Sequence, residues 1–122
     1  MDASRVLPTD GWVRSARSAD VGRTVLVWRL TRGGRTQTVL LWRTRWGRAV
    51  ATDAQCPHRQ YVMADARVVG NAIECPIHGY RYGPDGRCVN VRRAPAAQVI
   101  EVREVDGYVW LGPTATSRSS AV

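Results

Sequence analysis

Two short stretches, Cys56-Pro57-His58 and Cys75-Pro76-Ile77-His78, decide how this chain is read. Sixteen residues, 59–74, separate them, and together they take both histidines and two of the three cysteines of a 122-residue sequence. Chance rarely concentrates a chain's whole histidine supply in this way. Two thiolates and two imidazoles can bind zinc tetrahedrally, or they can share a [2Fe–2S] cluster in which the cysteines hold one iron and the histidines the other. Zinc fingers pair Cys with Cys and His with His in each half-site, whereas here each stretch supplies one of each. That arrangement suits two loops closing over a binuclear cluster from both sides, each giving a ligand to both irons.

Outward from these loops the sequence reads as short strands. Val25 to Leu30 and Thr38 to Trp42 are β-branched and aromatic runs, and Gly33-Gly34 between them is hairpin chemistry. Strands are also expected at Ala49–Thr52, at Ala72–Glu74 running straight into Cys75, and at Arg87–Val91 after the Gly83-Pro84-Asp85-Gly86 turn. Gln98–Val102 and Tyr108–Leu111, hinged at Asp106-Gly107, close the set. No helix or repeat stands out, so an all-β sandwich or small barrel is expected. Most of Trp12, Trp28, Trp42, Trp46 and Trp110 should be core, standing in for the absent phenylalanines. Residues 1–9 and the Ser/Thr-rich tail 113–122 should be loose.

The length allows one domain that buries roughly two thirds of its unfolded surface. All 18 basic residues are arginine, against 10 acidic ones, for a net charge of +8. Ten of those arginines face only Asp2, Asp10 and Asp20 within residues 1–50, and the remainder is near neutral. Such a flank raises encounter rates with an acidic partner. No recognition-helix pattern accompanies it, which argues against nucleic acid as that partner. The start carries no apolar signal segment and no stretch approaches a membrane span, so a cytoplasmic protein is expected. In that reducing compartment cysteines read first as metal ligands or thiols.

Around the two loops the chain resembles a Rieske-type iron–sulfur domain, whose signature is C-x-H, fifteen to seventeen residues, then C-x-x-H. Gly11-Trp12-Val13, Val39-Leu40-Leu41-Trp42-Arg43, Ala51-Thr52-Asp53, His78-Gly79-Tyr80-Arg81-Tyr82, Asp85-Gly86-Arg87-Cys88 and Asp106-Gly107-Tyr108-Val109-Trp110 are similar to the N-terminal Rieske domain of ring-hydroxylating oxygenases. The resemblance implies a Rieske-type antiparallel β-sandwich over residues 10–112, with a cluster-binding lobe of two loops at about 54–84. It implies that Cys56 and Cys75 ligate the buried iron and His58 and His78 the outer one, with electrons leaving by the histidine edge. High-potential Rieske proteins carry a further cysteine in each loop and a serine after the second His-Gly; the matching positions here are Tyr61, Ile77 and Tyr80. Fewer hydrogen bonds to sulfur imply the low-potential, ferredoxin or oxygenase-like class.

The first loop departs from the oxygenase pattern at Gln60, Tyr61 and Val62, with Ala66 where a glycine is common, which makes the tip beside His58 bulkier. Cys88 reads as a small packed residue. Oxygen activation in such systems needs a separate iron held by two histidines and a carboxylate. With His58 and His78 committed to the cluster, none remains, and no catalytic residue is expected in this chain. The expected function is one-electron transfer from a flavin-dependent reductase to a non-haem iron oxygenase, either as a carrier or as the detached Rieske subunit of a split oxygenase. The basic flank would meet an acidic docking face on the partner.

Overall fold

The structure, a computed structural model, describes residues 11–57 and 61–116. In chain order its strands are β1 (Val13–Arg17), β2 (Leu26–Arg32), β3 (Arg35–Arg43), β4 (Ala49–Asp53), β5 (Arg67–Val69), β6 (Ala72–Glu74), β7 (Arg81–Tyr82), β8 (Val99–Val105) and β9 (Tyr108–Thr116). Every pairing is antiparallel: six strands in the order β1-β9-β8-β4-β3-β2 form the main sheet, and β5-β6-β7 form a small one. This is the expected all-β architecture with a small lobe. The two expected tight hairpins are present. Gly33 and Gly34 at φ 55° and 77°, and Asp106 and Gly107 at φ 57° and 83°, give both turns the double positive φ that matches strand twist.

Strands β3 and β4 are buried on both faces, and this positions the lobe. Val39 and Leu41 alternate with Leu40 and Trp42, so β3 feeds two cores. The first, with Leu30, Ala51, Ile100, Val109 and Leu111, packs on one face of the main sheet. There the edge strands β1 and β2 come into contact, and Arg32 of β2 donates to the carbonyls of Gly11 and Gly112. The second core contains Leu40, Trp42, Val50, Met63, Ile73 and Tyr82 together with Cys56 and Cys75. Its polar groups are paired: the Trp42 indole N–H donates to the Thr52 hydroxyl at 3.1 Å.

Arg43, at the end of β3, ties four segments together. Its guanidinium donates to the carbonyls of Val21 at 2.7 Å, Ser18 at 2.9 Å and Gly47 at 2.9 Å, and meets both carboxylate oxygens of Glu104 on β8 at 2.7 and 2.9 Å. The fork geometry of arginine makes that set possible.

Several expectations need correction. Arg87–Val91 is not a strand: only Cys88 forms a bridge, with Tyr82. The segment's first residues do run beside β7, with the Gly83 N–H on the Arg87 carbonyl at 2.9 Å and the Val89 N–H on the Arg81 carbonyl at 2.8 Å, but the pairing stops at Asn90, whose side-chain oxygen takes the Arg81 N–H at 2.9 Å. β1, β5 and β7 lie where no strand is expected, and a 3-10 turn occupies Ser18–Asp20. Of the five tryptophans only Trp42 is fully buried, and Trp46, at the tip of the β3–β4 turn, is 79% exposed because the turn projects past the sheet. Of the segments expected to be loose, residues 1–9 and 117–122 lie outside the described residues, and β9 continues through Thr116.

Candidate metal centre

Both Cys/His loops grow from the second core and close in the same way. The Cys56 N–H donates to the Tyr61 carbonyl at 2.7 Å and the Cys75 N–H to the Tyr80 carbonyl at 2.8 Å, each five residues on. The first loop is braced at its base by the Gln55–Val62 bridge and by the Met63 N–H on the Ala54 carbonyl at 2.7 Å. The second is tightened by the Gly79 N–H on the Cys75 carbonyl at 2.9 Å, and it leads directly from β6 into β7.

These closures turn both cysteines inward. Cys56 and Cys75 are buried, with their sulfurs 3.9 Å apart across nineteen residues of sequence. A disulfide needs about 2.05 Å between sulfurs. Two thiolates on one tetrahedral metal, at about 2.3 Å from it, stand about 3.8 Å apart. The pair therefore fits shared metal ligation. Burial pushes the Cys75 thiol up, the Ile77 and His78 backbone amides oppose that rise by bonding its sulfur, and the neighbouring Cys56 adds to it. A bound cation would relieve this cost, since a coordinating thiol is held deprotonated.

His78 is exposed at the loop tip, its imidazole edge-on to the Tyr80 ring with centroids 6.1 Å apart and planes at 69°. His58 lies outside the described residues, as do Arg59 and Gln60. Tyr61 packs partly against the second core, while Val62 and Ile77 are exposed beside the loops. None of the three cysteines is in a disulfide. Cys88 is half-buried against the second core with its thiol 3.4 Å from the Asn90 side-chain oxygen.

Tyr80 and Tyr82, expected from their place after the second loop to pack against the cluster-binding lobe, do so, but the sequence does not show that Tyr82 reaches a cysteine sulfur. The Tyr82 side chain is fully buried and its hydroxyl stands 3.9 Å from the Cys56 sulfur. Burial first, and the contact with Cys56 second, push the phenol far above its usual range, so it stays a protonated donor. Strand alternation was the available signal: on β7 Arg81 faces outward to Glu74 at 3.0 Å, so its neighbour must face in.

An antiparallel sheet carrying a small lobe with two Cys/His loops defines an iron–sulfur protein of the Rieske class. The family model of the Rieske [2Fe-2S] domain matches residues 11–106, and this chain belongs to that family. Its cofactor is a Rieske-type [2Fe–2S] cluster. Among curated proteins it is 34% identical over 83 residues to aminopyrrolnitrin oxygenase PrnD of Pseudomonas fluorescens, covering 57% of this chain and 23% of that one. It is 36% identical over 55 residues to the toluene-4-sulfonate monooxygenase system iron-sulfur subunit TsaM1 of Comamonas testosteroni, covering 45% and 16%. The chain thus spans less than a quarter of the length of either relative. Among solved structures, dicamba monooxygenase with non-heme iron and dicamba superposes with a TM-score of 0.75 at 24% identity, over 91% of this chain and 34% of that one. A chain in the complex of reduced oxygenase and oxidized ferredoxin in carbazole 1,9a-dioxygenase superposes with a TM-score of 0.73 at 22% identity, over 88% and 98% respectively. At these identities the structural likeness concerns the fold. Among the described residues, no helix is long and apolar enough to cross a membrane.

Proposed function

We propose that this chain is a one-electron transfer component of an oxygenase system, with Cys56 and Cys75 holding the inner iron of its cluster and His58 and His78 the outer one. The observation that carries the reading is the buried Cys56–Cys75 pair at 3.9 Å beneath an exposed His78. When bound, the cluster supplies a single reversible electron. The residues around it divide the remaining work. Trp42, Met63 and Ile73 keep water from the sulfurs, the Tyr82 hydroxyl and the Ile77 and His78 amides donate toward sulfur, and His78 offers a route to a docked partner. The histidine ligands raise the potential above that of an all-cysteine cluster. Tyr80 at the serine position and the absence of an inter-loop disulfide support the lower part of the Rieske range.

The carrier reading, from a flavin-dependent reductase to an oxygenase, draws support from the near-complete coverage of a chain in the oxygenase–ferredoxin complex. The alternative, a Rieske subunit serving a separate catalytic chain, draws support from relatives that are oxygenase components several times longer. Size-exclusion with the candidate oxygenase separates the two: a permanent complex supports the subunit and transient binding the carrier. Anaerobic purification tests the reading as a whole. Two irons, two acid-labile sulfides, no zinc and an EPR signal averaging below the free-electron g value are expected. A zinc-loaded protein overturns it, and a His58→Cys variant with an unchanged spectrum contradicts the ligand set. An acidic docking face and a cytoplasmic setting belong to the same proposal, and electron-transfer rates should fall as salt rises.

A further inference from the structure

Asn90 lies outside both Cys/His loops, in the irregular segment after the Tyr82–Cys88 bridge, and is exposed to solvent. Its carboxamide is nonetheless engaged three ways. The side-chain nitrogen donates to the Gly79 carbonyl at 2.8 Å, and the oxygen accepts the Arg81 backbone N–H at 2.9 Å and the Cys88 thiol at 3.4 Å. The Gly79 carbonyl and the Arg81 N–H are the acceptor and donor that an adjacent strand would engage. Main-chain pairing does occur one step away, where the Val89 N–H meets the Arg81 carbonyl at 2.8 Å. Beyond that point the Asn90 side chain replaces the missing ladder.

The consequence falls on Tyr80. The peptide groups on either side of it are held by Asn90, and its own carbonyl is held by the Cys75 N–H at 2.8 Å. A backbone pinned at three points fixes where its ring stands, and that ring meets the His78 imidazole edge-on. Gly79, at φ 70°, would otherwise leave this stretch free to swing. We infer that Asn90 is a positioning residue for His78, acting through the 79–81 backbone and the Tyr80 ring. Its three hydrogen bonds go to Gly79, Arg81 and Cys88, not to the imidazole. The inference rests on the reading of His78 as a ligand of the outer iron, whose properties then depend on what orients its ring.

The test compares Asn90→Ala, Tyr80→Leu and the double variant as purified cluster-loaded proteins. Asn90→Ala should keep two irons and two sulfides while shifting the nitrogen hyperfine coupling of one histidine ligand in pulsed EPR. Tyr80→Leu should shift the same coupling, and the double variant should go no further than the larger single change. Amide exchange at Arg81 should quicken about fivefold in Asn90→Ala, the equivalent of one hydrogen bond. Unchanged couplings beside quickened exchange would mean a merely structural role and overturn the inference. If Asn90→Ala does not accumulate, Asn90→Asp keeps the acceptor for Arg81, loses the donor to Gly79, and is read in the same way. A parent protein with no Rieske-type signal contradicts the electron-transfer reading instead. In that protein the ring-current shift of the His78 protons decides: its loss in Asn90→Ala supports the positioning role, and its retention overturns it.

Discussion

The Tyr82 hydroxyl stands 3.9 Å from the Cys56 sulfur, inside the core and twenty-six residues away along the chain. With Cys56 as the proposed ligand, a donor aimed at its sulfur stabilises the more negative, reduced cluster. Tyr82→Phe keeps the ring and removes only the donor. The midpoint potential should fall by ~40 mV, the equivalent of roughly 1 kcal/mol for a one-electron couple. A redox titration followed by EPR measures this, and an unchanged potential would mean that the contact carries no tuning.

The two kinds of cysteine should separate cleanly. Cys88→Ala removes a half-buried thiol whose contact is the Asn90 oxygen, and should leave two irons and two sulfides per chain. Cys56→Ala or Cys75→Ala should abolish cluster loading. Iron and sulfide analysis of the three variants checks the assignment, and loss of iron in Cys88→Ala would sink it.

Gly86 has no room for a side chain. An added Cβ would stand 2.2 Å from the Ala97 carbonyl oxygen, at a φ of 87° that L residues rarely adopt. Gly86→Ala should cost about 3 kcal/mol or more, combining backbone strain with the displaced Ala97 contact. Urea unfolding of the loaded protein reads the loss directly. A change within about 0.5 kcal/mol would show that the turn yields easily.

Arg43 and Glu104 make stability depend on pH. The hydrogen bonds from Arg43 hold the Glu104 carboxyl below its ordinary range against partial burial. Because the folded value is depressed, the contribution is fully present above the unfolded value of about 4.3. It is lost as pH falls through the folded one. Glu104→Gln should lower stability at neutral pH, where the carboxylate contributes, change it little in acid, where Glu104 is itself protonated, and so flatten the acid limb of a stability-against-pH curve. Arg43→Ala also strips donors from three backbone carbonyls and should cost roughly 2–4 kcal/mol at pH 7. An acid limb in Glu104→Gln as steep as the parent's would place the titration elsewhere.

The sequence by itself determined the cofactor class and the outline of the fold. Two Cys/His stretches, two glycine-bearing hairpins and alternating apolar runs are local patterns, legible because chemistry and turn geometry act over a few neighbours. Arg87–Val91 misled for the same reason: its β-branched residues suit a strand, but the Asn90 side chain takes the Arg81 N–H that a longer strand would pair, and the ladder stops at Val89. Tertiary structure alone decided which side chains reach the sulfurs and the second loop. Cys56 meets Tyr82 across twenty-six residues, and Asn90 meets Gly79 across eleven. Both contacts depend on how the lobe folds onto β3 and β4, and no spacing rule encodes that packing. Trp46 shows the same limit, since composition counts it with the core while the position of its turn leaves it in solvent.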